Sequence, residues 1–136
     1  MYDDAMISIA DLRAIAMARL EDAKVLSLNG RADGAAYVCG YAIELALKAR
    51  ICTTLSWSGF PETRSEFENF ASFKTHKLDV LLALSGQEQR IKTDHFDDWS
   101  PIAKWDPEAR YKTIGQTEPE QAALMVASVE NLLEVL

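Results

Sequence analysis

Residues 31–52 read RADGAAYVCGYAIELALKARIC, and the fold follows from this stretch. At about 100° per residue, Val38, Cys39, Ala42, Leu45, Ala46, Ala49 and Cys52 fall on one broad arc. Gly40, Ile43, Leu47 and Ile51 form a second apolar arc. Glu44 and Lys48 lie between the arcs, flanked by Tyr37 and Tyr41. A helix that is apolar on most sides belongs in a core, so the stretch predicts the central helix of a bundle. The small residues Gly34, Ala35, Ala36, Gly40 and Ala42 let neighbouring backbones come close. Asp33 is the expected N-cap, because its carboxylate can accept the free amides of the first turn.

On the N-terminal side, Ser8-Ile9-Ala10-Asp11 resembles a capping box. A helix is expected from there to about Leu28, stopped by Asn29-Gly30. Its apolar face holds Leu12, Ile15, Ala16, Ala23 and Leu26, with Arg19 in the middle. A buried guanidinium needs a carboxylate partner. Glu44 is the expected one, so Arg19, Glu44 and Lys48 make a structural polar cluster. The short loop makes these two helices antiparallel neighbours.

On the C-terminal side, Gly59-Phe60-Pro61 breaks regular structure. Residues 62–70 are read as a short helix. Thr75 is the expected cap of a third major helix, 76–85, ended by Gly86, with Leu78, Leu81, Leu82 and Ser85 in the core. Residues 87–116 are read as short helices and turns, one of them around 94–104. Thr117-Glu118-Pro119-Glu120 combines a capping box with an early helical proline. The last helix turns Ala122, Met125, Val126, Val129, Leu132, Leu133 and Leu136 to the core. No alternating strand pattern, repeat or linker interrupts the chain. The expectation is one all-α domain over 1–136, an up-and-down bundle of four or five helices with an irregular insertion before the last.

The chain has 136 residues, 49% hydrophobic and 26% charged, which is globular composition with enough length for a core. Its net charge of -7 repels phosphate backbones, so broad nonspecific nucleic-acid binding is excluded and any RNA contact needs a local basic patch. The N-terminal MYDDAM is acidic and lacks the apolar core of a signal peptide. No apolar run reaches membrane-spanning length. Cys39 and Cys52 lie thirteen residues apart on one helix, roughly 20 Å, too far for a disulfide. Reduced thiols and a cytoplasmic location are expected. Two histidines and two distant cysteines give no metal-ligand spacing, and no cofactor motif is present.

Tyr37 to Ala49, YVCGYAIELALKA, resembles the second helix of HEPN-domain proteins, with its alanine at Ala42, its glutamate at Glu44 and its A-L-K-A run at Ala46-Leu47-Lys48-Ala49. Thr75-His76-Lys77-Leu78 resembles the T-H-D-L that opens a later helix of that family, with Lys77 where aspartate is usual. Arg110-Tyr111 resembles an R-Y dipeptide that comes before the last helix. The resemblance implies a homodimer, paired with a minimal nucleotidyltransferase or an antitoxin. It also implies a nucleotide or RNA ligand. Catalytic members cut RNA with an arginine and a histidine four to six residues apart, on a late helix that faces the partner subunit.

Arg90 and His95 meet that spacing, and an arginine can hold phosphate while a histidine moves a proton. They fall in the irregular stretch after the third helix, so catalysis through them is the alternative reading, a metal-independent endoribonuclease toxin. The leading expectation is a nucleotide-linked binding or partner-assembly module whose ligand lies near His76, Arg110 and Tyr111. Arginine beside an aromatic ring suits phosphate and base. His76 at a helix start would accept a proton or meet a ligand. A third reading is a helical interaction module with no nucleotide. The dimer interface is expected on the second arc of the central helix or on the last helix.

Overall fold

Ser8 starts the first helix: its hydroxyl accepts from the Asp11 amide at 3.1 Å and satisfies a free donor of the first turn. In the computed structural model, which describes residues 6–61 and 75–136 with the side chains of Ala109 and Arg110 excepted, this helix α1 spans Ile9–Leu28. It ends at Asn29, and Gly30 takes φ +75°, a left-handed turn that a side chain would resist. The next helix, α2 (Ala32–Leu55), begins at once and runs back along α1.

α2 is buried around most of its circumference. Cys39, Ala42, Ala46, Ala49 and Cys52 are covered on one arc, and Gly40, Ile43, Leu47 and Ile51 on the other. The second arc is therefore not the free dimer surface expected of it; the chain's own later segments fill that role. The thiols of Cys39 and Cys52 are free, and burial pushes them up to about 12 and about 11.

Because α1 and α2 are antiparallel, the start of α1 and the end of α2 share one end of the pair. There β1 (Ile7–Ser8) pairs antiparallel with β2 (Gly59–Phe60), Ile7 opposite Phe60. Two residues are too few to leave an alternating pattern in sequence, which is why no strand was legible.

The remaining described elements are α3 (Leu78–Leu84), α4 (Glu88–Asp94), α5 (Phe96–Trp99), a 3-10 helix (Pro107–Tyr111) and α6 (Pro119–Val135). α2 packs against α1, α3 and α6, and α5 lies on α6. α3 buries Leu78, Leu81, Leu82 and the following Ser85, as expected. It starts at Leu78 rather than at 76, because the Thr75 hydroxyl accepts from the Lys77 amide in a local turn. α6 opens on Pro119 at its first position, and Met125, Val126, Val129 and Leu132 face the core. Its expected side-chain cap does not form, since the Thr117 amide is bonded to Asp33. The helix read at 62–70 lies outside the described residues.

One face was misjudged. α1 buries Leu12, Ala16, Leu20 and Ala23, one position round from the expected phase. Leu20 takes the place in the core, and Arg19 points to water, paired with Asp22 at 3.0 Å. Burying leucine is favourable, whereas burying a guanidinium costs its hydration. Among the described residues no helix is long and apolar enough to cross a membrane.

Candidate functional site

Gly40 faces the insertion that precedes α6. The Trp105 ring lies where a side chain would be: a Cβ on Gly40 would stand 1.9–2.1 Å from three ring atoms. Trp105 also donates its indole N–H to the Tyr37 carbonyl at 3.1 Å. Tyr41 meets the Trp105 ring edge-on at 4.9 Å, and Tyr37 meets Tyr41 at 5.3 Å. Such edge contacts place ring hydrogens against π-faces.

A second anchor lies at the start of α2. The expected cap Asp33 does not cap its own helix. Its carboxylate accepts from the amides of Gly115 at 2.7 Å and Thr117 at 3.0 Å. These backbone bonds hold the Asp33 carboxyl below its usual range. A depressed carboxyl stabilises the fold above its unfolded value, near pH 4, and that contribution is lost as pH falls through the lower folded value.

Between these anchors is a cleft of about 460 Å³, within the usual range for small-ligand sites. Tyr37 and Trp105 line it together with Asp33, Lys104, Asp106, Lys112 and Gln116. Both acids already serve main-chain amides: Asp33 as above, and Asp106 accepting from the Glu108 amide at 2.9 Å. Among the described residues neither Lys104 nor Lys112 is in an ion pair. The cleft thus offers two free cations beside an aromatic wall.

A separate polar cluster lies farther along α2. The Glu44 side chain is only 4% exposed, and Lys48 donates to it at 3.0 Å. His76 Nδ1 reaches both carboxylate oxygens, at 3.0 and 3.1 Å. A carboxylate only accepts, so Nδ1 carries the proton of that bond and Nε2 is turned away from Glu44. Lys48 also stands over the Phe60 ring, 5.3 Å from its centre. The cluster is Glu44, Lys48 and His76; Arg19 is not in it, which follows from the shifted phase of α1.

The expected ligand residues therefore separate. His76 is held at Glu44, seven residues and about 10 Å along α2 from Tyr37. Tyr111 is exposed at the end of the 3-10 helix, between the cleft residues Asp106 and Lys112. Arg110 belongs to the same short helix, its side chain outside the described residues. Arg90 is half-buried and engaged: Nη2 donates to the Val135 carbonyl at 2.7 Å and Nε to Gln87 at 2.8 Å. His95 forms the joint between α4 and α5. Sequence reasoning missed Trp105 altogether. The signal for it was Gly40, a glycine in the middle of a helix with no turn to serve.

A family model described as HEPN domain matches residues 9–136. No curated protein and no solved structure matches the chain.

The charge placement gives a direct test in thermal unfolding. Glu44→Ala strands a half-buried Lys48 and should cost about 3–5 kcal/mol, a large part of a small domain's stability. Arg19→Ala removes only an exposed pair and should stay within about 0.5 kcal/mol. Equal effects would contradict the assignment of Glu44 to Lys48 and His76.

Proposed function

The chain belongs to the HEPN domain family, and on that premise we propose that it is a nucleotide-linked binding and partner-assembly module. The observation that carries this reading is the cleft, where Lys104 and Lys112 have no acid partner among the described residues and Trp105 and Tyr37 supply ring surface. A mononucleotide needs both features, cations for its phosphates and an apolar wall for its base. Arg110 and Tyr111 precede the cleft residue Lys112 in sequence, and in this proposal they supply a guanidinium and a ring for the same ligand. His76 belongs to the Glu44 cluster and takes no part in this site. The engagement of Arg90 by Val135 and Gln87 supports the binding reading over the ribonuclease toxin. The partner in this proposal is a minimal nucleotidyltransferase or an antitoxin.

Calorimetric titration with ATP and with AMP tests the site. Saturable binding is expected, weakening as salt rises because exposed cations are screened. Lys112→Ala and Arg110→Ala should each weaken it about tenfold, close to 1.4 kcal/mol. Unchanged affinity in both variants would remove the cleft. RNA degradation that disappears in both Arg90→Ala and His95→Ala would replace the proposal with the endoribonuclease.

The homodimer is part of the same proposal, with its surface reassigned. The second arc of α2 is buried, while Met17, Val25 and Leu28 leave an exposed apolar stripe on α1, 50%, 59% and 86% accessible. Light scattering at tens of micromolar should give twice the chain mass, and Val25→Glu should halve it. A single-chain mass for the unaltered protein contradicts the dimer.

A further inference from the structure

The Asp33 contact divides two hollows. On one side is the cleft. On the other is a second hollow of about 380 Å³, lined by Gly30, Arg31, Asp33, Gly115, Thr117 and Pro119. Asp33, Gly34, Ile114 and Thr117 line both. The wall between the hollows is therefore the start of α2 on one side and residues 112–117 on the other. The Asp33 carboxylate joins them, with one oxygen for each amide: Oδ2 accepts from Gly115 at 2.7 Å and Oδ1 from Thr117 at 3.0 Å.

Little else holds this segment. None of residues 112–117 is buried, and Ile114 is 97% exposed. The flanking buried side chains among the described residues are Trp105 before it and Ala122 after it. Gln116 donates to the Thr113 hydroxyl at 2.8 Å, a bond inside the segment. Among the described residues every hydrogen bond from 112–117 to the rest of the chain ends on Asp33. A segment without buried apolar contacts opens far more readily than a core helix. The released carboxylate is not stranded either. Its bond to Gly115 lies at the exposed surface, so water can replace the amide. Arg31, two residues back, already acts on it with the opposite charge.

We infer that residues 112–117 are a strap across the cleft, with the Asp33 carboxylate as its latch. With the latch closed, the two hollows are separate and the cleft keeps its outer wall. With the latch open, they join into one trough along the start of α2, through which the ligand enters and leaves. Lys112 and Gln116 belong to both the strap and the cleft lining, so opening also withdraws part of the site. Closure holds the ligand and opening frees it, as with other loops that cover a binding site. The latch therefore sets how long the ligand stays. It rests on the nucleotide reading only for the identity of that ligand.

Amide hydrogen exchange in the ligand-free protein tests the latch. The Gly115 and Thr117 amides should be protected, while those of Ile114 and Gln116, which have no acceptor among the described residues, should not. Asp33→Ala removes both acceptors and should speed exchange at Gly115 and Thr117 about tenfold, with the amides in the middle of α2 and of α6 unchanged. Asp33→Asn keeps one acceptor oxygen and loses the charge, so its effect should be smaller. Stopped-flow release of AMP then tests the control of the cleft: Asp33→Ala should raise the dissociation rate about tenfold. The inference is overturned if the four amides exchange alike in the unaltered chain, or if Asp33→Ala leaves Gly115 and Thr117 as they were. It is equally overturned if AMP leaves both proteins at one rate. Failure of AMP to bind the unaltered chain removes the nucleotide reading instead, and the exchange result still decides the latch.

Discussion

The contact between Trp105 and Gly40 is the constraint on which the rest depends. α2 has more apolar surface than α1, α3 and α6 need for a bundle, and the surplus has to be covered. The insertion before α6 covers it, and it can do so only where the helix has no side chain. Gly40 provides that flat site, and the indole N–H fixes the ring by bonding to Tyr37. A glycine inside a helix costs about 1 kcal/mol against alanine, so its presence in the middle of α2 needs a packing reason, and Trp105 is that reason. The same docking forms one wall of the cleft. Fold and candidate site are therefore two consequences of one contact.

Electrostatics then divide the surface of an acidic protein into local exceptions. Asp33 and Asp106 are taken up by main-chain amides, which leaves Lys104 and Lys112 free to act as cations. Glu44 is taken up by Lys48 and His76, which lets a carboxylate remain in the core. These carboxylates keep their charge, but their oxygens are directed to donors of the chain rather than to the two lysines of the cleft. Both anchors of the insertion lie on α2, so the helix that organises the core also sets the position of the cleft.

Much of this architecture was legible in the sequence because it rests on local, periodic signals. The all-α bundle, the central place of α2 and the burial of its first arc, the capping by Ser8, the stop at Asn29-Gly30 and the core face of α6 all follow from helical period and terminal chemistry. The family resemblance carried by Ala42, Glu44 and the A-L-K-A run agrees with the HEPN match over residues 9–136. What was missed depends on contacts distant in sequence. Asp33 has the chemistry of a cap, yet its oxygens bond to amides 82 and 84 residues away. Arg19 and Leu20 are adjacent, and only the packing partner decides which faces inward. The candidate site was legible in part: Arg110 and Tyr111 were singled out, but Trp105 was not. His76 was grouped with Arg110, although its partner is Glu44. No spacing rule brings residues 40 and 105 together.

The most direct test compares two glycines of α2 by thermal unfolding. Gly34→Ala adds a Cβ that meets Leu26 at an ordinary 3.5 Å, so its midpoint should hold or rise, since alanine is the better helix former. Gly40→Ala forces the Trp105 ring off the helix and should lose about 1–3 kcal/mol, roughly 3–10 °C in midpoint. A Gly40→Ala protein that melts with the unaltered chain, or tracks Gly34→Ala, would contradict the docking of the insertion on α2.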